Sequence, residues 1–168
     1  MKTNIALIGF MGAGKTAVGR LLAKKLGKEL VEMDSLIEQK AGKSIPDIFN
    51  EDGEAAFRQL EIEVTGEAAG DDNRVIACGG GVVLNWENVD RLKEGAVVVY
   101  LTASPEVILR RVSDDSSIRP LLKSRNKDRT IRELMRFRKP LYERAADIEI
   151  DTSELDIEAI AEQIIARL

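Results

Sequence analysis

The chain of 168 residues is of a size for one domain, and its 44% hydrophobic content is enough to build a core. A net charge of −4 argues against a general nucleic-acid binder. With no histidine and one cysteine, Cys78, the composition excludes a Ser-His-Asp triad, a histidine proton shuttle, a Cys/His zinc site and an intrachain disulfide.

A strand is predicted over Asn4–Gly9. The apolar opening Ile5–Met11 is too short and too poorly flanked for a signal peptide. No run of about 18 apolar residues is present to span a membrane. A cytoplasmic location is expected, and a single free cysteine fits a reducing compartment. Next comes Gly9-Phe10-Met11-Gly12-Ala13-Gly14-Lys15-Thr16, which fits G-x-x-x-x-G-K-[ST] ahead of a helix predicted over Lys15–Leu26. The glycines let successive backbone N–H groups turn toward phosphate oxygens, and the helix adds the positive end of its dipole. Lys15 is then placed for the β- and γ-phosphates, and the Thr16 hydroxyl for Mg²⁺. Gly12, Ala13, Gly14, Lys15, Thr16 and Ala17 are the candidate nucleotide-binding residues.

A second strand over Leu30–Met33 runs into Glu32-Met33-Asp34. Strand alternation puts the two carboxylates on one side, where one can orient hydrated Mg²⁺ and the other can accept from a substrate hydroxyl and take its proton. Helices are predicted over Ser35–Ala41 and Gly53–Ala69. The latter carries Arg58 among Glu54, Glu61, Glu63 and Glu67, a spacing that suits either helical ion pairs or a ligand. A third strand, Arg74–Cys78, ends in Gly79-Gly80-Gly81, where close approach of a ligand to the main chain would explain three consecutive glycines. Cys78 reads as a small buried hydrophobe.

Helix Trp86–Lys93, strand Ala96–Leu101 and helix Pro105–Val112 follow, the last capped by Ser104. Residues 110–144 carry a net charge of +7 between an N-terminal part at −5 and a C-terminal part at −6. A basic segment in an acidic chain suggests a local anion site, with a solvated helix face as the alternative. Residues 113–127 are highly charged with little apolar pattern and read as a mobile lid. A helix over Ile131–Ala145 with a Thr130/Glu133 capping box, a strand Asp147–Asp151 and a helix Ile157–Leu168 complete the chain. A guanine switch is disfavoured because Asn126-Lys127-Asp128-Arg129 has its Asp one place early and follows no strand. The alternation of strands and helices implies a mostly parallel sheet with helices on both faces and ligands beyond the carboxyl ends of the strands.

Six features in this order resemble the shikimate kinase family: Gly9–Thr16, Asp34 within Glu32–Glu38, Phe57-Arg58, Gly79–Gly81, Arg119-Pro120-Leu121-Leu122, and Arg138-Lys139-Pro140-Leu141-Tyr142. The resemblance covers nearly the whole chain. It implies the α/β P-loop kinase fold, a five-stranded parallel sheet of order 2-3-1-4-5, and one domain over 1–168 with substrate-binding helices about 35–69. It implies ATP-dependent phosphorylation of the 3-hydroxyl of shikimate, with Mg²⁺ accompanying ATP. By the same resemblance Asp34 binds substrate hydroxyls and is the candidate base. Arg58 and Arg138 hold the substrate carboxylate, the Gly79–Gly81 backbone lies along the ring substituents, Arg119 reaches the ATP phosphates and Arg111 stacks on adenine. Glu32 departs from the family's usual Asp, so its link to Mg²⁺ is expected to run through water. ATP and shikimate are the expected partners of a monomer that engages neither nucleic acid nor membrane. A kinase for another hydroxylated acid such as gluconate, and a nucleotide-binding module without transfer activity, remain the alternatives.

Overall fold

β1 (Asn4–Ile8) is buried at all five positions because it lies in the middle of the sheet, with β3 (Arg74–Ala77) and β4 (Ala96–Thr102) on either side. The fold is seen in a computed structural model that describes residues 1–113, 127–154 and 156–168. β2 (Glu29–Glu32) and β5 (Ile148–Asp151) complete a five-stranded sheet of order β2-β3-β1-β4-β5, parallel throughout. The near-continuous Val/Ile/Leu/Ala runs of β1, β3 and β4 follow from burial on both faces.

Each crossover is helical: α1 (Lys15–Leu26), α2 (Met33–Ala41), α3 (Ile45–Glu51), α4 (Glu54–Ala69), α5 (Trp86–Gly95), α6 (Pro105–Ser113), α7 (Lys127–Ala145) and α8 (Ile157–Ala166). Ala6, Ile8 and Ile76 face one core with Ile37 of α2, Ile48 of α3, Val64 of α4 and Leu92 of α5. Ile5, Leu7 and Val75 face the other with Val18 and Leu22 of α1, Ile108 of α6 and Ile160 and Ile164 of α8. α7 feeds both, with Ile131 in the second core and Tyr142 and Ala145 in the first. Among the described residues no helix is long and apolar enough to cross a membrane.

Three departures from expectation bear on the site. α3 was not anticipated; its seven residues start at the Ser44 cap, whose side chain accepts from the Asp47 N–H at 3.3 Å. Strand β2 stops at Glu32 and α2 begins at Met33, because Met33, Leu36 and Ile37 at helical spacing turn toward the core. Asp34 therefore sits in a first helical turn, and the shared strand face predicted for Glu32 and Asp34 does not exist. α7 starts at Lys127, so Thr130 lies inside the helix and Glu133 pairs with Arg129 at 2.9 Å instead of closing a capping box. Of the predicted lid, residues 113 and 127 belong to the ends of α6 and α7, and residues 114–126, with Arg119, lie outside the described residues.

Candidate active site

The loop after β1 is built by glycine. Gly12 and Gly14 take φ of 82° and 95°, and Gly14 caps α1 in a left-handed conformation. The Ala13 N–H closes the turn onto the Phe10 carbonyl at 3.1 Å. The first-turn N–H groups of α1 have no carbonyl one turn behind them and face the loop's concavity, a ready anion cradle. Lys15 Nζ donates to the carbonyls of Gly9 and of Phe10, the latter at 3.3 Å, so the ammonium lies over the loop. Thr16 and Ala17 are exposed at the start of α1.

On the β4–β5 side, Arg111 of α6 is anchored through its guanidinium N–H groups. Its guanidinium donates to the Gly12 carbonyl at 3.0 Å and to the Thr152 hydroxyl and carbonyl at 3.2 and 2.9 Å. The fully buried Thr152 donates in turn to the Thr102 carbonyl at 2.9 Å. This brace ties the phosphate loop to the β5–α8 turn. The family resemblance puts Thr152–Asp156 in the adenine-side loop, with a poor match, and gives Thr152 no individual role.

On the β2–β3 side, the buried Gly79–Gly81 run gathers the remaining candidates. A Cβ placed on Gly79 would lie 3.1 Å from Asp34 Oδ1 and 3.3 Å from Glu61 Oε2. One on Gly80 would lie 3.5 Å from the Met11 nitrogen and 3.6 Å from an Arg138 guanidinium nitrogen. One on Gly81 would overlap Arg58, with Cζ at 2.9 Å. A side chain would crowd the carboxylates at Gly79 and overlap Arg58 at Gly81, whereas at Gly80 a Cβ would make ordinary contact. Arg58 bonds Glu54 at 3.4 Å and Glu61 at 3.1 Å, so it makes the helical ion pairs and faces the triple glycine as well. Arg138 is 4% exposed, lies 5.7 Å from the Phe10 ring centroid, and has no salt bridge with any carboxylate of the described residues.

Glu61, at 1% exposure, is the carboxylate that the sequence left among ordinary surface pairs. Burial pushes its pKa up, the Arg58 guanidinium pulls it back, the neighbouring Asp34 charge pushes it up further, and the Arg138 charge pulls it down again. Its only sequence signal was the three-residue step from Arg58. Cys78 is buried, and desolvation raises its thiol to about 12, which suits packing and not attack. Glu32 leans toward Arg20 at 4.0 Å, away from any shared face with Asp34.

For a metal, the described residues hold no cluster of three or more acidic, Cys or His ligands. The Thr16 hydroxyl at the end of the phosphate loop and the Glu32 carboxylate at the end of β2 are hard donors. They suit an Mg²⁺ that takes its other ligands from phosphate and water. The donor set thus fits a nucleotide-borne ion and not a protein-caged one.

A model of the shikimate kinase family matches residues 11–168. The chain is 48% identical over 162 residues to the shikimate kinase of Thermodesulfovibrio yellowstonii, covering 96% of this chain and 92% of that one. It is 46% identical over 162 residues to the shikimate kinase of Caldanaerobacter subterraneus, covering 96% and 94%. The solved structure of shikimate kinase from Acinetobacter baumannii in complex with shikimate superposes with a TM-score of 0.95 at 40% identity, covering 99% of this chain and 93% of that one. With this site geometry and this identity along nearly its full length, the chain belongs to the shikimate kinase family.

Proposed function

We propose that the chain transfers the γ-phosphoryl group of ATP to the 3-hydroxyl of shikimate, giving 3-phosphoshikimate and ADP, in the route to chorismate and the aromatic amino acids. The observation that carries this reading is the pair of arginines on one glycine loop. The buried guanidinium of Arg138, which makes no salt bridge among the described residues and feels the Glu61 carboxylate only at longer range, sits beside Gly80, with Arg58 against Gly81. Leaving such a charge without a bonded partner is costly, so the pocket favours an anion. Two planar forks suit a carboxylate, and Asp34 on the Gly79 side suits the hydroxyls of the same molecule.

Phosphoryl transfer needs in-line placement and neutralised charge more than covalent help. The bond from the γ-phosphorus to the ADP oxygen breaks, a bond to the substrate oxygen forms, and the hydroxyl proton passes to Asp34. Lys15 and the first-turn N–H groups of α1 bind the phosphates, and Arg111 with Thr152 bounds the base side. Arg119 keeps the phosphate-reaching role that the resemblance gives it. Mg²⁺ bound with ATP would lower the charge barrier, held by the Thr16 hydroxyl and, through water, by Glu32. The chain acts as one domain, its acid-binding helices within about 35–69 and its lid within about 113–127. It works as a cytoplasmic monomer without nucleic-acid or membrane partners. Coupled ADP release tests the reading: turnover should require shikimate and be absent with gluconate, and equal release with and without shikimate would refute it.

A further inference from the structure

Tyr142 has no part in the roles above, yet it touches the substrate loop from behind. It lies one helical turn after Arg138 on α7, is 1% exposed, and stacks on Tyr100 with centroids 4.9 Å apart. Its hydroxyl donates to the Gly80 carbonyl. The adjacent carbonyls are held by backbone: Gly79 accepts from the Val82 N–H at 3.2 Å and Gly81 from the Leu84 N–H at 3.0 Å. At Gly80 a side chain supplies the donor instead. The peptide between Gly80 and Gly81 has a glycine on each side, the easiest place in a chain for a peptide plane to turn over. In a trans peptide the C=O and the following N–H point in opposite directions, and no peptide of the described residues is cis. A carbonyl fixed on Tyr142 therefore turns the Gly81 N–H away from α7.

We propose that Tyr142 is a positioning residue for the acid substrate: its O–H locks the Gly80–Gly81 peptide so that the Gly81 N–H is presented as a donor to a substrate hydroxyl between Arg58 and Arg138. This rests on the acid-kinase reading above. Tyr142→Phe removes one O–H and keeps the ring on Tyr100. The expected result is a KM for shikimate raised by about tenfold, a KM for ATP within twofold of wild type, and a melting temperature lowered only slightly. Tyr100→Phe, whose ring stacks in the same pair, should leave both KM values unchanged. A Tyr142→Phe protein that melts earlier but keeps its KM for shikimate, or that shifts both KM values equally, overturns the proposal.

An amide spectrum of the wild type tests the same point whatever the variant's folding. The Gly81 N–H should shift on addition of shikimate, and a stationary signal at saturation overturns the assignment. Absence of shikimate-dependent ADP release from the wild type would instead mark failure of the underlying reading.

Discussion

Arg138 and Glu61 are opposite answers to one cost. Each is a buried charge beside the triple glycine, but Glu61 has Arg58 at 3.1 Å whereas Arg138 has the Phe10 ring and only the longer-range attraction of Glu61. Arg138→Lys keeps the charge and loses the fork, so the KM for shikimate should rise at least about tenfold with a smaller change for ATP; equal changes in steady-state kinetics would contradict the clamp. Asp34→Asn keeps the shape and removes the proton acceptor, and turnover should fall by at least about 10²-fold if it is base or orienter; a twofold loss would reduce it to scaffolding. Glu61 has a folded pKa above its ordinary 4.5 because burial disfavours the carboxylate. A carboxyl that holds its proton more tightly when folded lends stability below that ordinary value and loses it as pH rises through the folded one. The melting temperature of wild type relative to Glu61→Gln should therefore fall as pH rises from 4.5 upward, and parallel melting profiles would contradict the assignment.

Elements were legible where their signal was local. β1, β3 and β4 declare themselves as apolar runs, and the phosphate loop is spelled out in eight consecutive residues. Helix α3 was hidden because seven residues are too few to display a helical period. The β2–α2 junction was misread because Glu32-Met33-Asp34 alternates polar and apolar as a strand does, while the helical period of Met33 and Ile37 becomes visible only with their burial. The clamp is illegible locally: Arg58 and Arg138 lie eighty residues apart, and only family resemblance marked them before the sheet brought them to one loop. Caps, by contrast, are local. Ser104 accepts from the Val107 N–H at 3.3 Å as expected, and Asp156 accepts from the Ala159 N–H at 2.7 Å at the start of α8. Asp156→Ala should cost about 1 kcal/mol in urea unfolding with turnover unchanged, and an unaltered midpoint would show the cap to be idle.

At the scale of the whole molecule, the central strand is shared by two cores. Leu7 points into the α1–α6–α8 core and Ile8 into the α2–α5 core. Leu7 is fully buried, so Leu7→Ala should lower stability by roughly 2–5 kcal/mol, measured by denaturant titration; a loss under about 1 kcal/mol would mean that the helices close over the gap. The strand order also spreads the duties. Of the residues proposed to grip the acid, Asp34, Arg58 and Gly79–Gly81 follow or flank β2 and β3 and Arg138 reaches their loop from α7, while the Arg111–Thr152 brace belongs to the β4–β5 side. Because Asp34 and Arg58 lie in one contiguous piece, residues 33–69 form a graftable cassette: a transplant from a relative with another acceptor, matched at Gly79–Gly81 and Arg138, could redirect what is phosphorylated while the phosphate loop is inherited intact.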